Sequence, residues 1–164
     1  MAGKKTLTGP TGHAVRSNIS RLRDDQNLTF AELSRKLGEI GNPIPPLGLR
    51  RIENDERAVS VDDLTAIAYV LGVSPAYLLQ PDTEDPAEVV TGPGGQEVTA
   101  RELWRWIRDG GSVSAEDRVD LTALLRSLPT WAVEDGPEVE HLLETHRRWA
   151  RNRRAHQGDD DDPR

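Results

Sequence analysis

Arg50, Arg51 and Arg57 crowd into a short stretch of a chain whose net charge is −7. A guanidinium is a flat, permanently charged fork of N–H donors that meets two acceptors at once. Its natural counterparts are phosphate oxygens and the O6/N7 edge of guanine. Pro46, Leu47, Gly48 and Asn54 share the stretch. They add apolar surface suited to thymine methyls, a bare backbone position and one amide. The chemistry on offer is recognition rather than bond making. No cysteine is present, which excludes a disulfide framework, a thiolate metal site and a cysteine nucleophile. There is no phosphate-cradling glycine loop with a lysine, no Gly-x-Ser-x-Gly elbow and no His-Glu-x-x-His. Gly92-Pro93-Gly94-Gly95 lacks the lysine and following helix that nucleotide binding needs. His141 and His146 are badly spaced for sharing a metal on a helix. Asp62 and Asp63 stand at a helix start, where capping explains them. No catalytic residue, metal site or cofactor is expected.

Charge divides the chain. Residues 1–81 carry 10 basic and 9 acidic side chains, net +1, whereas residues 82–164 carry 11 and 19, net −8. Only the first part has the balance that contact with a polyanion needs. All four tryptophans (Trp104, Trp106, Trp131, Trp149) lie in the second part. The aromatics of the first are Phe30, Tyr69 and Tyr77. This break in composition predicts two cores joined near residues 81–88.

The arginine stretch must be held by its neighbours. Residues 1–12 show no periodicity and read as a flexible arm. Val15, Ile19 and Leu22 place one apolar face on a helix from about His13 to Gln26. Thr29 and Glu32 have capping-box spacing for a second helix. Ala31, Leu33 and Leu37 are its core candidates, and Gly38 is its expected stop. A breaker-rich turn follows, from Glu39 to Ile44. Pro45-Pro46 suits a helix start, because the first N–H groups have no partner inside a helix. In that third helix Leu49 and Ile52 face inward, which leaves Pro46, Leu47, Arg50 and Asn54 outward. Ser60 and Asp63 repeat the box for a fourth helix that buries Leu64, Ile67, Ala68 and Leu71 and ends at Gly72. Ser74-Pro75 opens a short fifth helix with Tyr77, Leu78 and Leu79.

Beyond an acidic linker at 82–88, residues 89–98 read as a short hairpin around Gly92-Pro93-Gly94-Gly95. Thr99 and Glu102 cap a helix that carries Leu103, Trp104, Trp106 and Ile107 and stops at Gly110-Gly111. Trp104 and Trp106, two apart, cannot both face one core squarely. Further helices are expected from Ser114 to Leu128 and from Pro137 into the arginines at 147–154. The domain scheme is therefore an arm at 1–12, a helical domain at 13–81, a linker at 82–88, a mostly helical C-terminal region at 89–156 and an acidic, disordered tail at 157–164. The class is mainly all-α.

In order and spacing, residues 14–79 resemble the lambda-repressor-like (Xre-type) helix-turn-helix regulators of bacteria and phages. The resemblance rests on Ala31-Glu32-Leu33 with Leu37-Gly38, on Arg51-Ile52-Glu53-Asn54, and on Leu64, Ile67, Ala68, Leu71-Gly72-Val73-Ser74 and Leu78-Leu79. It implies a five-helix domain whose third helix enters the DNA major groove and whose second helix begins against a phosphate. By that likeness Thr29, Phe30, Pro46, Leu47, Gly48, Arg50, Arg51, Asn54 and Arg57 are the DNA-facing residues. Arg50 is placed to read guanine, and Arg51 and Arg57 to hold phosphates. Phe30 stands where relatives often carry glutamine, and the turn before the third helix is longer than in compact members.

The function expected is a DNA-binding transcriptional regulator, with double-stranded DNA and a second copy of the chain as partners. The C-terminal region is expected to dimerise, to sense an effector or to recruit a protein. No membrane partner is expected, and the expected location is the bacterial cytoplasm, at the nucleoid when DNA is bound. The alternative is an antitoxin-like or signalling interaction module that uses the apolar end of the third helix.

Overall fold

In a computed structural model the described residues are 9–81 and 83–109, with isolated positions at 126, 128, 129, 140, 144 and 147. The Gly110-Gly111 stop expected for the helix opened at Thr99, the acidic tail and all but a few isolated positions of the helices expected beyond residue 110 lie outside the described residues. The chain divides into two compact units at Arg108–Asp109, and the helices and strands described here form the first.

Five helices come in order: α1 Pro10–Asp25, α2 Phe30–Glu39, α3 Pro46–Glu53, α4 Val61–Leu71 and α5 Pro75–Leu78. An antiparallel hairpin follows, β1 Val89–Thr91 and β2 Glu97–Thr99, and then α6 Ala100–Asp109. In its register Val90 faces Val98. The fold is mainly helical, as the sequence implies.

Helix starts are set by local chemistry. At Thr29 the hydroxyl accepts the Glu32 N–H, while the Glu32 carboxylate accepts the Thr29 N–H at 2.8 Å. Ser60 and Asp63 form the same reciprocal box on α4. Thr99 and Glu102 form it on α6. Each box satisfies two donors that a helix start would otherwise leave open. Gly72 ends α4 in the left-handed region, with φ of 74°, where a Cβ would be strained.

Three local expectations are corrected. α1 begins at Pro10 rather than His13, because proline is tolerated in a first turn and Gly9 supplies an extended cap. Gly38 lies inside α2, which runs to Glu39; the left-handed residue that turns the chain is Gly41, with φ of 85°. Ala31 is exposed, and Leu33 and Leu37 alone form the buried stripe of α2.

The core draws on every helix from α1 to α5. Val15, Ile19, Leu33, Leu37, Ile44, Leu49, Ile52, Ile67, Ala68, Leu71 and Leu78 are buried in one cluster. Ile44 belongs to it although it lies in the turn between α2 and α3. Its carbonyl accepts the Ser34 hydroxyl at 2.7 Å, so the long turn is pinned at its far end.

The hairpin and α6 belong to the same unit as the five helices. The segment ahead of them is tied to α6 by backbone bonds from Ala100 to Glu88 and from Arg101 to Pro86. Trp104 and Trp106 are both half-buried. They serve different clefts. Trp104 lies in one with Pro81 and Pro86, under the Arg108 guanidinium at 3.9 Å from its ring centre. Trp106 lies in the other with Pro10, Ala14 and Leu79.

Candidate nucleic-acid interface

The outward face of α3 follows from which residues point inward. Leu49 and Ile52 are about 1% exposed or less, and they fix the helix rotation. Pro46, Leu47, Arg50, Arg51 and Asn54 are left exposed, with Leu47 59% accessible. Leu47, Arg50 and Asn54 recur at helical spacing, so they form one strip along α3. Asn54 is the C-cap, and its N–H bonds the Arg50 and Ile52 carbonyls.

Arginine pairing separates the site from its surroundings. Arg16 bonds Asp55 at 3.0 Å. Arg21 pairs with Asp25 at 3.6 Å, and Arg35 pairs with Glu39. Arg23 holds Glu53, and Arg57 holds Asp63 at 2.9 Å. Among the described residues of the helical domain, Arg50 and Arg51 are the arginines with no acidic partner. Both are exposed. An exposed guanidinium without an internal acid keeps its whole donor fork for a ligand.

The beginning of α2 is arranged differently. The Thr29 hydroxyl donates to Glu32 Oε2 at 2.7 Å and accepts the Glu32 N–H at 3.2 Å, so it serves the capping box. These hydrogen bonds, side chain first and backbone second, hold the Glu32 carboxyl below the usual carboxylate range. Phe30 is half-buried and packs on the core cluster. The Arg23 guanidinium lies 4.3 Å from its ring centre, a cation–π arrangement.

Arg23 also reaches α3. Its Nε donates to Glu53 Oε1 at 2.7 Å and its Nη2 to Glu53 Oε2 at 3.0 Å. The hydrogen bond to Glu53 raises the Arg23 pKa above its ordinary value. Ser20 donates to the same carboxylate at 2.9 Å. Phe30, Arg23 and Glu53 thus link the first turn of α2 to the last turn of α3. Arg16, Arg23 and Glu53 were absent from the sequence-derived site because their partners lie far along the chain. The only local signal was the Glu53 position within Arg51-Ile52-Glu53-Asn54.

Asp55 takes φ of 63°, left-handed for a residue that bears a side chain. Aspartate tolerates that region better than most residues. The ion pair with Arg16 gives its carboxylate a partner on α1.

Gly48 and Arg57 meet over the first turn of α3. A β-carbon on Gly48 would lie 2.8 Å from Arg57 Nη1 and 3.2 Å from Ile44 Cγ2. Glycine costs a helix interior about 1 kcal/mol relative to alanine. Here it makes room for the Arg57 guanidinium.

Comparison with known proteins identifies the domain. Residues 19–78 match the family model HTH_3, described as Helix-turn-helix. This segment is therefore a helix-turn-helix domain of the Xre, lambda-repressor-like kind, a DNA-binding fold. No curated protein matches the chain. A solved structure described as hydroxypropylphosphonic acid epoxidase from S. wedmorenis aligns at 24% identity over 53% of this chain and 41% of that one, with a TM-score of 0.39. The chain thus matches less than half the length of that protein, and a likeness this weak carries no argument about fold or activity. Among the described residues no helix is long and apolar enough to cross a membrane.

Proposed function

We propose that the protein is a transcriptional regulator that occupies an operator through α3 and catalyses nothing. The observation that carries this reading is the pairing pattern of the arginines. Five arginines of the domain are tied to acids, and the two left over stand together on the exposed face of α3. Arg50 reads a guanine edge in the major groove, beside Leu47 and Pro46 on thymine methyls and the Asn54 amide. Arg51 holds a backbone phosphate. The start of α2 contacts phosphate through backbone N–H groups, since the Thr29 hydroxyl is engaged by Glu32.

The regulator acts as a homodimer, with two half-sites about one helical turn apart. The C-terminal region supplies the dimer contact or receives an effector or partner protein. It works in the bacterial cytoplasm, at the nucleoid.

Selection of bound sequences from a random duplex pool, at two salt concentrations, tests the reading. An enriched inverted repeat that persists at the higher salt is expected. Binding that disappears with salt and leaves no motif would overturn it. The exposed Leu47 and Pro46 would then support the second reading, an interaction module that docks a partner on the apolar end of α3.

A further inference from the structure

We propose that Arg57 is a positioning residue that locks the recognition helix in place, and that it does not hold a DNA phosphate. The inference rests on the DNA-binding reading and reassigns one residue within it.

Two segments meet at the Arg57 guanidinium, and a third reaches it through Asp63. Nη2 donates to Asp63 Oδ2 at 2.9 Å, in the first turn of α4. Nη1 occupies the space above Gly48, in the first turn of α3. Asp63 in turn accepts from Asn42 Nδ2 at 3.4 Å, in the turn between α2 and α3. Asp63 also closes the capping box with Ser60. The Arg57–Asp63 pair therefore ties together the start of the recognition helix, the start of α4 and the long turn that leads into α3.

Charge supports the assignment. The Asp63 side chain is only 9% exposed. Drawing Arg57 away to a phosphate would leave that carboxylate buried without its cation, which is strongly unfavourable. Arg50 and Arg51 have no such tie. Glu56, exposed beside Arg57, adds negative charge where a phosphate would have to approach.

Shape supports it independently. The missing side chain at Gly48 leaves the room that Nη1 fills. A methyl group there would meet the far end of a flexible arginine, which can swing aside, and an Ile44 methyl that must give slightly. Gly48→Ala therefore displaces the Arg57 guanidinium from its place above α3 without removing any charge.

The test uses the full chain in two measurements. The first is hydrogen exchange of the free protein at the Leu49 amide, which bonds the Pro45 carbonyl at 3.1 Å and closes the first turn of α3. Arg57→Ala is expected to speed exchange there while exchange in α1 stays as in the parent. Unchanged exchange at Leu49 overturns the proposal, whether or not DNA binds. The second is the salt dependence of affinity for the selected duplex and for an unrelated one. Removing one side chain that neutralises a phosphate lowers the slope of log K against log salt by about 0.9. Arg57→Ala is expected to keep the parental slope yet to lose about tenfold in preference for the selected duplex, the effect of roughly one mismatched base pair. Gly48→Ala is expected to reproduce that loss with all charges present. A slope reduced by about one, with equal weakening on both duplexes, overturns the proposal and leaves the DNA reading standing. If neither duplex is bound by the parent protein, the DNA reading fails, and the exchange measurement alone decides the positioning role. Should Arg57→Ala not fold, Gly48→Ala carries the DNA measurement, and unchanged preference in it overturns the proposal.

Discussion

Arg23 grips Glu53 with two nitrogens, at 2.7 and 3.0 Å, across thirty residues of sequence. The pair joins the C-terminal turn of α1 to that of α3 and is nearly withdrawn from water, at 12% and 10% side-chain exposure. It ties the last turn of α3 to α1, as Leu49 and Ile52 set how α3 is rotated. Removing Arg23 strands the Glu53 carboxylate, whereas Arg23 without Glu53 still pairs with Asp24 at 2.7 Å. Arg23→Ala is expected to cost about 3 kcal/mol of stability, and Glu53→Gln less. Urea unfolding followed by circular dichroism measures it, and a cost below about 1 kcal/mol would mean that the pair behaves as a surface contact.

The capping box on α2 should be visible in the acid range. Hydrogen bonds from Thr29 depress the Glu32 carboxyl in the folded protein. A depressed folded value means that the contribution is fully present above the unfolded pKa, about 4.3 for glutamate. It fades as pH falls through the folded value. The melting temperature of the parent should therefore drop faster below about pH 4 than that of Glu32→Gln, which keeps an acceptor but cannot titrate. Parallel melting curves for the two proteins would show that the box does not contribute to acid sensitivity.

The second box gives a stability effect that is simpler to read. Ser60 accepts the Asp63 N–H at 3.0 Å. Ser60→Ala should cost about 1 kcal/mol. Thermal unfolding measures it, and an unchanged midpoint would assign the start of α4 to Asp63 and Arg57 alone.

Arg50 and Arg51 should fail in different ways on DNA. Arg50→Ala is expected to lose about 1–3 kcal/mol of discrimination at one base position while binding unrelated duplexes as before. Arg51→Ala should weaken all duplexes alike and lower the salt slope by about 0.9. Titration of both variants against the selected and an unrelated duplex separates the roles. Unchanged operator preference in Arg50→Ala would remove it from the reading face.

Ile44 tests how the turn before α3 is held. It is 1% exposed. Ile44→Ala should cost about 3 kcal/mol, within the usual range for emptying a core position of this size. Because Ile44 also lies against Gly48, selected-duplex affinity should fall further than unrelated-duplex affinity, as competition titrations would show.

Local signals were legible because their partners lie within three or four residues. The boxes at Thr29, Ser60 and Thr99, the proline starts of α3 and α5, the left-handed end at Gly72 and the hairpin turn all follow from neighbouring residue types. Their order also carried the resemblance to a helix-turn-helix domain, which the match over residues 19–78 supports. Gly38 misled because glycine marks helix ends often, yet here the chain turns at Gly41. Ile44 was hidden by its breaker-rich surroundings.

Among the described residues, what the sequence determined by itself is the helices and, Ala31 apart, their inward stripes, since periodicity and capping act along one short segment. What only the tertiary structure decided is which arginines remain available. Arg16, Arg23 and Arg57 look as free in the sequence as Arg50 and Arg51. Packing brings Asp55 to Arg16, Glu53 to Arg23 and Asp63 to Arg57. An ion pair between helices depends on where their axes meet, and no local pattern of residues contains that position.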